Sequence, residues 1–238
     1  MEFAEDKCQV LTITRKQKKN IKIKDYEIHN YKLDRVDSAK YLGLILDSKL
    51  SFNNHINSTC KKAHCTRQFL QRTLWRCSAD SKAQAYKTFV RPIVEYGAAV
   101  WDPHDANDSQ VKRVESVQNK AARFVHKNWR RDASVTEMKA SLHWDTLKER
   151  RAKARVIMLH KIYHSLVAIP ISLLPLTPAI MQPRYVLPFY PPVPRTESHG
   201  RTFMVAAPTM WNGLPASLTS LSDPVAFRGQ LSKVRVSP

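Results

Sequence analysis

The stretch "KYLGLILDSKLSFNNHI", Lys40–Ile56, decides how the chain is read. Extended chain sends successive side chains to opposite faces, so the period-two run "KYLGLILD" is predicted as a strand. The polar "DSKLSFNN" after Asp47 is where a helix is expected to begin. The same alternation recurs upstream in "CQVLTIT" and "YEIHNYKL", separated by the lysine-rich "RKQKKNIKIKD" and by "DRVDSA". Up to Asp47 the pattern therefore predicts a small antiparallel β-sheet of about three strands.

Downstream the period becomes helical. Long helices are expected from Phe52 or Asn53 to Cys77, Ala79 to Glu95, Asn107 to Lys127 and Leu142 to Leu166, with Ser78 and Asn107 placed to cap the second and third. Past Pro170 helical periodicity fades, and ten of the 14 prolines lie between Pro170 and Pro215. That segment either wraps a core or stays loose. The expected class is α+β in three segments: a small sheet over 1–52, a helical bundle over 53–169 and a Pro-rich C-terminal extension over 170–238.

Lys and Arg total 39 against 20 for Asp and Glu, a formal charge of +19 with a pI near 10.0. Residues 48–169 hold 23 basic and 10 acidic side chains, so the excess concentrates on the predicted helices. A polyanionic partner is favoured, nucleic acid first, and no small-molecule site is evident. A basic surface that serves only solubility is the blander alternative. The apolar run from Ser165 is broken by Pro170, Pro175 and Pro178, which argues against a membrane span. Four irregularly spaced cysteines read as reduced thiols of an intracellular protein, cytoplasmic or nuclear.

Within "NDSQVKRVESVQNKAARFVHK", Val111, Val114, Val117, Ala121 and Phe124 or Val125 make one apolar face. Arg113, Lys120 and Lys127 recur every seven residues with Arg123 close by, a stripe that either follows a phosphate backbone or is merely solvated. Lys61, Lys62, Arg67, Arg72 and Arg76 add charge on the preceding helix. In "LHWDTLKERRAKARVIMLHKIY", Leu142, Trp144, Leu147, Val156 and Leu159 are expected in the core, with Lys148, Arg150, Arg151, Lys153 and Arg155 exposed. Trp75, Trp101, Trp129 and Trp144 read as packing residues rather than base-stacking platforms.

No phosphate-binding loop, nucleophile elbow, zincin or dinucleotide signature occurs, nor any pair of adjacent aspartates. Cys60, His64, Cys65 and Cys77 have no standard zinc spacing, and His160 with His164 lacks a third ligand. No metal or catalytic residue is assigned.

The phrases "MEFAEDKCQVL", "KYLGLILDSKLSFNNHI", "RPIVEYGAAVWDP", "VESVQNKAARFV", "LHWDTLKERR" and "WNGLP", in this order, resemble the C-terminal part of reverse transcriptases from jockey-like non-LTR (LINE-type) retrotransposons. The resemblance covers nearly the whole chain. One departure is Ala4, where the family commonly has asparagine after the phenylalanine. The resemblance implies RNA-templated DNA synthesis by a parent enzyme whose palm aspartates hold magnesium, and a chain that begins after those aspartates, with Met1 internal to a longer frame. Two-metal chemistry needs paired carboxylates, so this chain alone, without the rest of the palm and the fingers, is expected to be inactive. Tyr41, Leu42 and Gly43 become primer-grip candidates, Gly43 permitting close backbone approach or, alternatively, relieving a strand bend. Lys61, Lys62, Arg67, Arg72, Arg76, Arg113, Lys120, Arg123, Lys127, Arg150, Arg151 and Lys153 become candidates for gripping the template–primer duplex. Glu95 is expected to pair with a nearby arginine, and "WNGLP" with Phe227 to dock. A domesticated binding or interaction module, or an unexpressed relic, are the alternative readings.

Overall fold

The computed structural model describes residues 4–14, 24–102, 108–178, 187–200 and 202–236. They form two compact units, Met1–Thr59 and Cys60–Pro238.

In the first unit a single 3-10 turn, Glu5–Lys7, precedes β1 (Gln9–Leu11), β2 (Glu27–Ile28), β3 (Tyr31–Lys32), β4 (Asp34–Val36), β5 (Ser38–Tyr41) and β6 (Leu44–Asp47). The strands form three two-stranded ladders rather than one three-stranded antiparallel sheet. β1 and β4 pair in parallel, Gln9 opposite Asp34, whereas β2–β3 and β5–β6 are antiparallel hairpins. Both "YEIHNYKL" and "KYLGLILD" thus fold back on themselves. Their two central residues carry positive φ: His29 at 48° and Asn30 at 65°, Leu42 at 46° and Gly43 at 85°. Positive φ at both positions is the backbone of the two-residue turn whose twist matches paired strands. Alternation alone cannot separate one long strand from two short ones; Asn30 and Gly43, which tolerate the left-handed region, decide it.

Asp47 ends β6 and shapes the turn that follows. Its carboxylate accepts the backbone N–H groups of Lys49, Ser51 and Phe52, at 3.0–3.1 Å, and the Ser51 hydroxyl at 2.9 Å. Burial alone would raise its pKa, but these donors outweigh it and hold the group below the usual carboxylate range. Helix α1, Asn53–Thr73, starts there and continues into the second unit. Near its start His55 Nδ1 accepts the Ile45 N–H at 3.3 Å.

The second unit is helical: α2 (Ala79–Ala85), a π-helical segment Tyr86–Val90, α3 (Arg91–Glu95), α4 (Ala98–Trp101), α5 (Asp108–His126), α6 (Val135–Ser141) and α7 (Leu147–Tyr163), then α8 (Glu197–Gly200), α9 (Phe203–Asn212), α10 (Ala216–Thr219) and α11 (Pro224–Leu231). Ser78 caps α2, accepting the Ser81 N–H; the expected cap Asn107 lies outside the described residues. α7 begins later than Leu142 because Thr146 caps it, accepting the Glu149 N–H at 3.1 Å. The short α6, capped by Ser134, is one the sequence pattern misses.

Core formation follows the apolar spacing. Val114, Val117, Ala121, Phe124 and Val125 of α5 are buried, and α7 packs against α4, α5, α9 and α11. Trp211 of "WNGLP" stacks on Phe227 with centroids 5.4 Å apart and joins Leu159 and Phe189 in one cluster, so the end of the extension docks on α7. Each such buried aromatic removes a large apolar surface from water, worth roughly 1.5–3 kcal/mol. A second buried cluster is polar: Tyr86 Oη donates to Gln118 Oε1 at 2.9 Å, Gln118 Nε2 donates to the Asp145 carbonyl at 2.8 Å, and the Tyr86 ring stacks on Trp144 at 4.4 Å.

Candidate nucleic-acid interface

α7 is covered on all sides, so its cations meet internal carboxylates rather than solvent. The Arg151 side chain is 0% exposed, with Nε 2.8 Å from Asp102 Oδ1, and the Arg155 side chain is 3% exposed, with Nη2 3.5 Å from Asp102 Oδ2. Lys153 donates to Asp145 at 2.9 Å and to the Ser232 carbonyl at 3.1 Å. Arg150 is half-buried and engages both Glu95 oxygens, the pairing expected of Glu95, with Arg91 3.9 Å away. The expectation that Arg150, Arg151, Lys153 and Arg155 form an exposed face is corrected: a helix this deeply packed needs its charges neutralised in place. Arg67 is also buried, donating to Gln71 at 2.6 Å. Arg123 is half-buried and donates to the carbonyls of Asn128, Arg130 and Ala133, tying off the chain after α5.

The remaining candidates face solvent. Lys61, Lys62, Arg72 and Arg76 on and after α1, and Arg113, Lys120 and Lys127 on and after α5, are exposed. Contacts between the two helices put them side by side. Cys60 lies within electrostatic reach of Arg113, His64 Nε2 is 3.4 Å from Ser116 Oγ and feels Lys120, and Lys127 sits 5.7 Å from the Trp75 ring centre. Position advances together along both helices, so the second-unit part of α1 and α5 run in the same direction. From Arg113 to Lys127 is about 21 Å at 1.5 Å per residue, the axial rise of about six phosphates of one strand. None of Lys61, Lys62, Arg72, Arg76, Lys120 and Lys127 makes an ion pair with a described residue.

In the first unit Tyr41 and Leu42, at the tip of the β5–β6 hairpin, are 65% and 73% exposed. Gly43 is a turn residue, not a gap in a strand. The tryptophans divide: Trp101 and Trp144 are buried, whereas Trp75 and Trp129 are 45% and 44% exposed, a departure from the packing role expected of all four. His160 is a packed residue, stacked on Phe227 at 4.1 Å with Nε2 2.8 Å from the Leu221 carbonyl. Among the described residues no three His, Cys, Asp or Glu side chains converge, and the Asp47 carboxylate is committed to its own turn. The described residues therefore do not fit the magnesium site of a polymerase. Among the described residues no helix is long and apolar enough to cross a membrane.

Sequence similarity supplies the class: the chain is related to the RNA-directed DNA polymerases, or reverse transcriptases, of transposons. The relatives are the probable RNA-directed DNA polymerase from transposon X-element of Drosophila melanogaster, 34% identical over 92 residues, and that from transposon BS of the same fly, 33% identical over 102 residues. These matches take in 37% and 42% of this chain. The matched stretches amount to 10% and 11% of those relatives, so the chain spans about a tenth of the length of the curated relatives it matches. No family model matches the chain, and no solved structure does.

Proposed function

We propose that the second unit is the thumb-like part of a jockey-like non-LTR retrotransposon reverse transcriptase, and that it grips the template–primer duplex through the exposed cations of α1 and α5. The observation that carries this is the pair of helices running in parallel with Lys61, Lys62, Arg72, Arg76, Lys120 and Lys127 exposed along and just beyond them, none of which makes an ion pair with a described residue. A polyanion is the partner that such charges attract, and phosphate contacts hold a duplex in register without reading its sequence. The β5–β6 hairpin, with Tyr41 and Leu42 at an exposed tip, acts as the primer grip. In this reading these residues supply binding rather than the chemical step, which needs paired metal-holding aspartates; the sequence has no adjacent pair of aspartates. Its four unbridged cysteines support an intracellular setting, cytoplasmic or nuclear.

The test is fluorescence anisotropy with a labelled RNA–DNA hybrid over a range of salt. Replacing Arg113, Lys120 and Lys127 together by alanine should weaken binding and flatten the log–log salt dependence by roughly 2–3, at 0.7–0.9 per lost phosphate contact. The helical circular dichroism should be unchanged. A folded triple variant with the original affinity and slope overturns the assignment.

A further inference from the structure

The last two turns of α1 and the residue Trp75 just beyond them build a small site that a duplex backbone alone does not explain. Arg67, Gln68, Gln71, Arg72 and Trp75 line an open surface groove of about 680 Å³. Its donors are two guanidiniums and two amides, its one flat surface is an indole, and no carboxylate lines it. Arg67 is 7% exposed, and its Nε is buried without a hydrogen-bond partner.

Two lysines converge on the same indole. Lys82 Nζ of α2 lies 5.9 Å from the Trp75 ring centre and 5.3 Å from that of Phe124, while Lys127 Nζ lies 5.7 Å from Trp75. Lys82 is 1% exposed, yet neither lysine makes an ion pair with a described residue. Burial first, then the neighbouring Lys127, push the Lys82 ammonium below its ordinary range, with Cys77 acting weakly the other way. Two ammonium groups held together on an aromatic ring, beside two arginines, are a repulsive arrangement that an anion relieves. Lys127, at φ 52°, is the left-handed residue that ends α5, where the Asn128 N–H donates to the Arg123 carbonyl at 3.0 Å.

We propose that Trp75 is a base-stacking platform for one unpaired nucleotide, whose phosphate is taken by the exposed Lys127, with the buried Lys82 charge behind it adding to the attraction, while Arg72 and Gln71 meet the base and sugar edges. This rests on the second unit binding nucleic acid at all, and specifies where a strand leaves the duplex. Stacking suits an unpaired base because every base offers a π-face, whereas the bases inside a duplex are already stacked.

The experiment compares a blunt RNA–DNA hybrid with the same hybrid bearing a short single-stranded extension, by anisotropy and by tryptophan fluorescence. Wild-type protein should bind the extended hybrid more tightly and show quenching that the blunt hybrid does not produce. Trp75→Leu should lose about 5- to 150-fold in affinity for the extended hybrid only. Trp75→Phe, which keeps a ring and guards against a misfolded leucine variant, should still bind the extension but lose the quenching. Lys82→Met should weaken the extended hybrid while raising the melting temperature of the free protein, because it removes an unpaired buried charge. If blunt and extended hybrids bind alike and Trp75→Phe quenches as wild type does, the platform is refuted while duplex binding stands. If no nucleic acid binds, both fall.

Discussion

Replacing Asp102 by asparagine removes the carboxylate that Arg151 and Arg155 share inside the second unit. The side chains involved are 6%, 0% and 3% exposed, so water cannot take over its role. At the separations of 2.8 and 3.5 Å, an effective dielectric near 20 gives gross attractions of about 6 and about 5 kcal/mol. Desolvating three charges offsets most of that, and removing one partner of such a buried set costs about 3–5 kcal/mol net. With a urea m-value near about 2 kcal/mol/M, the midpoint of the helical signal should fall by about 2 M. Arg151→Met provides the contrast. Both Arg151 Nη atoms are buried without partners, and Asp102 keeps Arg155, so this change should cost less than about 1.5 kcal/mol or stabilise. A loss below about 1 kcal/mol in Asp102→Asn, or an equal loss in Arg151→Met, would refute the shared-carboxylate account.

Two further outcomes are expected. Leu42 sits at φ 46° in a two-residue turn, a conformation that costs a non-glycine residue about 1–2 kcal/mol. Leu42→Asn should therefore raise hydrogen-exchange protection of the β5–β6 amides by about fivefold, and unchanged protection would show that Leu42 is not strained. His55, His64 and His164 are each pushed below the ordinary histidine range, first by burial, with Lys120 and Arg67 adding to the effect at His64 and His160 at His164. Their folded pKa values lie below the unfolded value of about 6.5, so the unfolded chain takes protons that the folded chain refuses. Stability is fully present above that value and declines as pH falls through it toward the folded values. Urea midpoints equal at about pH 7.5 and about pH 5.5 would contradict this.

The long helices were legible because α5 repeats valine and alanine at helical spacing with little to confuse the period, and because Ser78 reads directly as a cap. Glu95 was likewise legible as an arginine partner. The hairpins were not, since "KYLGLILD" alternates equally well whether or not it turns at Leu42–Gly43, and the sequence carries leucine where asparagine or glycine would have announced the turn. The basic residues of α7 misled for a different reason. Sequence shows a charge but not the carboxylate that meets it, and Asp102 lies 49 positions from Arg151. Trp75 was read as core because tryptophan is apolar on average; only the fold reveals that it ends a helix on the surface, between lysines distant in sequence.

The Tyr86, Gln118 and Asp145 cluster restricts how this sequence can drift. Tyr86→Phe alone leaves the Gln118 carbonyl unanswered in a buried site, and Gln118→Leu alone strands the buried phenol, whereas the partly buried Asp145 carbonyl that also loses its donor is not closed off. A buried polar atom without a partner costs about 1–3 kcal/mol, whereas exchanging both partners for apolar groups of similar shape is nearly neutral. Lineages should therefore carry Tyr with Gln, or lack both, and seldom show the intermediates. These two positions should change as one character.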